Sequence, residues 1–212
     1  MDQDSIRRLA KFAHAFAAPI YRSVSIRHSR SKDILSGEGS FRFGGRWNPP
    51  GLRATYGALT PEVAMAETLA AARYHGLAAH TVMPRIFVAI HVQLSFVLDL
   101  TAANVQAAGR FRSSRFTHVD WRADVDKWRM PATQAIGSAT AACGLEAILV
   151  PSAAATKGRN LVVFVDNLVG SSLVEVLSAN DLELRLHANL HVECTVGSGA
   201  VGGDLDRRSS QR

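Results

Sequence analysis

Stretches with strand character lie both before and after the helical stretches of this chain, without the one-for-one β-α-β-α alternation that a doubly wound parallel sheet requires. That order predicts an α+β fold: a single domain with a mixed, mostly antiparallel sheet and flanking helices. Ile6, Leu9, Ala13 and Phe16 recur at spacings of three, four and three, which predicts an amphipathic helix over 5–16 closed before Pro19. Thr60-Pro61 reads as an N-cap with proline at the first helical position, and Gly76 as the C-terminal stop, so a helix is predicted over 61–75. A further main helix is predicted over 132–143, ended by Gly144, and Thr101 is read as the cap of a short helix reaching Ala108. Strands are predicted over 20–25, 53–57, 85–94, 96–100, 146–150, 161–165, 173–177 and 182–186, where β-branched and apolar residues gather between turn signals.

The 212 residues, 47% of them hydrophobic, can enclose one sizeable core, which excludes disorder throughout. Residues 1–17 are read as an N-terminal helical segment, 18–196 as the body of the domain and 197–212 as a disordered tail. From Gly197 onward the composition falls to Gly, Ser, Asp and Arg, too polar to offset the entropy of ordering. The segment 27–50 is polar, rich in Gly, Ser and Arg, and without either period. It is too long for a passive connection and is expected to be a functional loop.

The first residues carry scattered charges and no apolar run of signal-peptide length, and nothing later reaches the roughly 18 apolar residues of a membrane span. A cytoplasmic protein is expected. Two cysteines, Cys143 and Cys194, with no C-x-x-C, exclude a disulfide framework and a four-ligand zinc pattern. P-loop and G-x-G-x-x-G patterns are absent, and His187 and His191 are read as surface or turn residues near a strand end. The net charge of +6 is lopsided: residues 1–60 hold 10 Lys+Arg against 4 Asp+Glu, and the rest hold 14 of each. Arginine supplies 20 of the 24 basic residues, and its planar fork binds phosphate oxygens bidentately.

Three places depart from routine surface. Glu67 has Val63, Ala64, Ala70 and Ala71 as its helical neighbours, so its carboxylate lies on a small-residue apolar face and needs a donor partner or a cleft. The run FRFGGRWNPPG at 41–51 packs Arg42, Arg46, Trp47 and Asn48 between glycines and prolines. Such a loop suits a ligand with phosphate and a flat heterocycle, and by composition equally suits RNA. Ser152 sits at a strand end, outside a G-x-S-x-G elbow and with no base beside it in sequence, which reads as a hydrogen-bonding role rather than a hydrolase nucleophile.

Tyr21-Arg22, the run Gly45-Arg46-Trp47-Asn48-Pro49-Pro50-Gly51, Tyr56, Glu67, Gln134 and Pro151-Ser152 followed by Asn160-Leu161 form an ordered series that resembles the RES-domain toxins, over about residues 18–170. The resemblance implies a fold similar to the ADP-ribosyltransferases and attack on NAD+ as substrate, with no prosthetic group. ADP-ribose would pass to phosphate, water or a protein, and the partner would be a small Xre-like antitoxin, with a homo- or hetero-oligomer as a possible assembly. By motif position it implies that Arg22 and Arg46 hold the pyrophosphate or ribose and that Tyr56 lines the nicotinamide side. Glu67 would be the catalytic carboxylate, with Ser152 a hydrogen-bonding member of the pocket, and Glu67, Arg22 and Ser152 together form the implied catalytic set. Tyr21, Trp47, Asn48 and Asn160 complete the expected substrate-binding set.

Physical chemistry agrees with that assignment. Breaking the nicotinamide glycosidic bond builds an oxocarbenium-like ribose that a carboxylate stabilises, and nicotinamide leaves as a neutral molecule without needing a general acid. A different class of function remains open on charge alone: a nucleic-acid-binding module using the basic first 60 residues and Trp47. The same basic segment would equally seat an acidic antitoxin surface.

Overall fold

A computed structural model of the chain describes residues 1–26 and 30–177. The predicted strand over 182–186, the tail, His187, His191 and Cys194 lie outside the described residues. Six strands form one sheet: β1 (His14–Ser25), β2 (Ala54–Ala58), β3 (Arg85–Asp99), β4 (Ala147–Pro151), β5 (Arg159–Phe164) and β6 (Leu173–Val176). Their order is β1-β2-β5-β4-β3-β6, and a further pairing of β1 with β3 closes the first five into a circuit. All ladders are antiparallel except β3–β4, in register Val97↔Ala147. A parallel pair needs a long crossover, and α5 (Ala103–Gly109), α6 (Trp121–Asp126) and α7 (Ala132–Ala142) supply it.

The sheet is covered on both faces, and the period of two in its central strands divides the core accordingly. Ile148, Val150, Val162 and Phe164 pack with Ile6, Leu9, Trp47, Phe116 and Ile136. Ala147, Leu149, Leu161 and Val163 face the opposite way, toward Ile20, Val24, Ile34, Ile90 and Val92. With two buried faces, these strands read as continuous apolar runs rather than alternating ones.

Several expectations are corrected. The N-terminal helix is α1 (Gln3–Leu9), capped by Asp2, which accepts from the Ser5 N–H. A single 3-10 turn to Phe12 follows, and the chain is already in β1 at His14. Phe16 is therefore a strand residue and Pro19 lies inside the strand, opposite His91. Proline is tolerated there because β1 meets β2 only at Tyr21↔Ala58, so the missing N–H at residue 19 faces an unpaired edge. The segment 27–50 contains two short helices, α2 (Ser31–Leu35) and α3 (Glu38–Phe43), both too short to display a helical period. Thr101 does not cap α5. Its N–H and hydroxyl both donate to Asp99 Oδ1, at 2.7 and 2.6 Å. The predicted helix over 61–75 is α4 (Pro61–Tyr74), with Thr60 accepting from the Val63 N–H and Gly76 at φ +66°.

The two strands predicted over 85–94 and 96–100 are one, β3, and the apparent break has a cause. At Ser95 and Phe96 the two consecutive N–H groups donate to Glu146 Oε2 at 2.7 and 2.8 Å. Glu146 is fully buried, and its Oε1 accepts from the Val169 N–H and the Ser172 hydroxyl. Burial pushes this carboxyl up, but the donors from Ser172, Phe96, Ser95 and Val169 outweigh it and hold it below its ordinary value of 4.5. A depressed carboxylate stabilises the fold above the unfolded value and loses that contribution as pH falls through the folded one. Glu146→Gln is expected to cost about 2 kcal/mol near neutrality, because an amide donor then faces N–H donors. In urea titrations the gap to wild type should narrow as pH falls below the ordinary carboxyl value of 4.5 and through the lower folded one, where the wild-type carboxylate is itself protonated.

Candidate active site

Where β1 and β2 part, a cavity opens. Continuing the antiparallel register from Tyr21↔Ala58 would pair Arg22 with Gly57 and Ser23 with Tyr56. Instead these four residues line a cavity of about 400 Å³ closed on its other side by α4. The floor is the small-residue face of that helix, Ala64, Thr68, Ala71 and Ala72, with Glu67 among them. Side chains of this size leave room for a ligand against the helix, and that room is why a carboxylate can stand there without being packed over.

Glu67 is held by residues 85 and 93 positions away in the chain. Its Oε1 accepts from Ser152 Oγ and from Asn160 Nδ2, both at 2.7 Å. Ser152 follows β4 directly and is buried, and Asn160 is the second residue of β5, so one β4–β5 connection delivers both donors. The Ser152 hydroxyl is itself oriented, since it accepts from the Ala154 and Ala155 N–H groups at 3.1 and 3.0 Å. With those lone pairs engaged, its proton is directed at the carboxylate. Ser152 is thus a donor to a carboxylate and not a nucleophile beside a base. No donor among the described residues engages Glu67 Oε2, and no other Asp or Glu lines the cavity.

The cationic side of the cavity is carried by Arg22 and Arg85. Burial lowers the Arg22 guanidinium from its usual value, the Tyr56 hydroxyl opposes that shift, and the charge of Arg85 adds to it. Arg46 does not line the cavity. Its Nη1 donates to the carbonyls of Phe116 and Val119 at 3.2 and 2.8 Å, and after burial the largest influence on its charge is Glu67, which favours it. Tyr56 and Tyr21 are in the wall. Burial pushes the Tyr56 hydroxyl up, so it remains a neutral donor to Asn48 Oδ1 at 2.6 Å while accepting from the Trp47 N–H at 3.0 Å.

Trp47 and Asn48, expected among the ligand-binding residues, do not line the cavity. Trp47 is only 2% exposed and meets Phe116 edge to face at 5.6 Å, a core contact rather than a stacking platform. Asn48 is fully buried, and its amide donates to the carbonyls of Ser40, Pro49 and Leu52. Their turn is a scaffold for Tyr56. A Cβ on Gly45 would stand 2.6 Å from the Tyr56 oxygen, so only glycine lets the two approach, and Gln134 Nε2 clamps the Gly45 carbonyl at 2.9 Å. Arg42 is exposed and paired with Glu38 at 2.7 Å, outside the site. Four polar residues of the wall carried no signal in the sequence: Ser23, Thr68, His75 and Arg85. Arg85 in particular was masked by the even charge balance beyond residue 60.

No group of three or more metal-ligating side chains occurs among the described residues, and no helix among them is long and apolar enough to cross a membrane. One pinned carboxylate opposite unpaired guanidiniums can stabilise a developing cation and hold an anionic ligand in a single cavity. It is not the two-carboxylate arrangement of common glycosidases.

The RES domain family model matches residues 19–187. The chain is 34% identical over 135 residues to proteins named NAD(+) phosphorylase MbcT from Mycobacterium bovis and Mycobacterium tuberculosis. The match takes in 62% of this chain and 66% of theirs, just under two thirds of the length of these curated relatives. In structure, the chain is similar to the crystal structure of the M. tuberculosis MbcT–MbcA toxin–antitoxin complex, with a TM-score of 0.62 and 24% identity, over 86% of this chain and 98% of that one. At that identity the likeness establishes a shared fold.

Proposed function

Because the chain belongs to the RES-domain family, we propose that it breaks the bond between nicotinamide and ribose in NAD+ and passes the ADP-ribosyl group to inorganic phosphate, depleting NAD+ as the toxin of a toxin–antitoxin pair. The observation that carries this reading is the Glu67 carboxylate, fixed through one oxygen by Ser152 and Asn160 in an arginine-walled cavity. The other oxygen is available to the ribose. As the C1–N bond breaks, its electron pair moves to the ring nitrogen and cancels the charge of the pyridinium, so nicotinamide departs neutral. A phosphate oxygen then forms the new bond to C1 and keeps its proton count. Glu67 stabilises the cationic ribose between the two events.

In this reading Arg22 binds the pyrophosphate and Arg46 supports it electrostatically from behind the wall. Tyr21 and Tyr56 flank the nicotinamide side, and Asn160 holds Glu67 while edging the sugar pocket. NAD+ is a substrate, and the chemistry calls for no prosthetic group. The acceptor alternatives are water and a protein side chain. The partner would be an antitoxin of the Xre-like type, by analogy with MbcT, which is seen with MbcA, and the setting would be the cytoplasm. The nucleic-acid alternative loses its base-stacking residue, since Trp47 is in the core.

The test is direct. Purified chain, free of partner, is mixed with NAD+ with and without inorganic phosphate, and free nicotinamide is followed by NMR. Release that rises with phosphate is the expected result. Release indifferent to phosphate would make water the acceptor, and label from NAD+ on a protein would make it a protein. No release, with RNA binding that weakens steeply with salt, would turn the assignment to nucleic acid.

A further inference from the structure

Arg85, at the start of β3, is a charged cavity residue that lies outside the ordered series read from the sequence. In the ladder it pairs with Ser25, yet its side chain reaches back along β1, donating from Nε to Ser23 Oγ and from Nη2 to the Ser23 carbonyl, both at 2.7 Å. Two of its five N–H groups are thus spent on fixing the fork. Arg22, from the adjacent position on β1, is fixed in the same manner by one bond from Nη1 to the Ile34 carbonyl at 2.9 Å. Neutral carbonyls and a hydroxyl orient both guanidiniums and neutralise neither. The ion pairs among the described residues involve Arg7, Arg42, Arg53, Arg129 and Arg159, so the wall that carries Arg22 and Arg85 has two half-buried like charges and no carboxylate partner. Both guanidiniums line the one cavity, and two like charges in one cavity repel unless an anion is shared with them.

We propose that Arg85 and Arg22 together hold a tetrahedral phosphate-class oxyanion in this cavity, with Arg85 as a binding residue for it. This rests on the NAD+ reading for its place in a reaction, though the anion site itself is independent of any turnover. Burial lowers both guanidiniums from their usual value, and for Arg22 the charge of Arg85 adds to it. Bidentate forks match the spacing of phosphate oxygens, and the Ser23 hydroxyl, accepting from Arg85, has its own proton left to donate into the cavity. Such an oxyanion has two sources in this reaction: free inorganic phosphate as the acceptor, or the pyrophosphate of the dinucleotide.

The experiment measures binding first, by ³¹P NMR titration of the partner-free chain with inorganic phosphate and separately with ADP-ribose. Wild type, Arg85→Gln and Arg85→Lys are compared, each shown to be folded by its thermal melt. Weakening of phosphate binding by about 10-fold or more in Arg85→Gln, with ADP-ribose unaffected, supports the site and makes acceptor phosphate its occupant. The same loss toward ADP-ribose alone supports the site with pyrophosphate as occupant. Arg85→Lys, which retains charge and loses the fork, should fall between. In turnover the first case raises KM for phosphate at unchanged KM for NAD+, and the second does the reverse. Equal binding of both probes by wild type and both variants overturns the proposal, whether or not nicotinamide is released. Conversely, Arg85-dependent phosphate binding in a chain that releases no nicotinamide would leave the anion site standing and the NAD+ reading overturned.

Discussion

Glu67→Gln is expected to lower kcat for nicotinamide release by about 10³-fold, with KM for NAD+ changed no more than about threefold. Glutamine is nearly isosteric and can still present an oxygen to the Ser152 hydroxyl and the Asn160 amide, so the cavity keeps its shape. What is lost is the negative charge opposite the ribose, and that charge is worth most when the ribose is most cationic. The ground state carries its positive charge on the pyridinium ring rather than on the sugar, which is why the loss belongs to turnover rather than to binding. The check is a pair of initial-rate curves beside matched thermal melts. A rise in KM at constant kcat would instead mean that Glu67 only binds.

Gly137→Ala is expected to destabilise the fold by about 3 kcal/mol, lowering Tm by about 6–12 °C in a thermal scan. On an ordinary helix this substitution is favourable by about 1 kcal/mol, so even the sign is diagnostic. Residue 137 is in the middle of α7, where a Cβ would collide with the carbonyl oxygen of Trp47. Either the helix backs away or the Gly45–Asn48 turn moves. Since that turn donates to the Tyr56 hydroxyl through the Trp47 N–H, surviving folded protein should also show weakened NAD+ turnover. An unchanged or raised Tm would mean that the helix and the turn are not in the close contact described.

What the sequence discloses of this molecule follows the range of the interactions involved. The helix carrying Glu67 was legible because its signals are local: Thr60, Pro61 and Gly76 each act within a turn of the helix end. The apolar neighbours of Glu67 likewise follow from the helical period alone. Strand extents were less legible, since Pro19 is admissible only because of what β1 does not pair with, and the gap at Ser95 is filled by a carboxylate from residue 146. Trp47 and Asn48 lie in the core rather than in the cavity wall for a related reason. Arg, aromatic and Gly residues in a short loop predict a shaped turn, but whether its ring faces a ligand or Phe116 depends on a segment 69 positions further along. Arg85 was hidden differently, as one arginine in a region of even charge, distinguished only by having no ion pair among the described residues.

The single pairing of Tyr21 with Ala58 sets how the site breathes. β1 is zipped to β3 by eleven paired positions, from His14↔Val97 to Ser25↔Arg85, so opening that edge would break many hydrogen bonds at once. The edge toward β2 is fastened at one stitch beside the cavity, so small openings there involve few hydrogen bonds and recur far more often than global unfolding. A ligand bridging Arg22 on one strand and Tyr56 on the other would act as a second stitch. A bound dinucleotide would thus quieten the local exchange of amide hydrogens along this seam, and a protein that wedged it apart from outside would silence the proposed NAD+ chemistry without ever reaching Glu67.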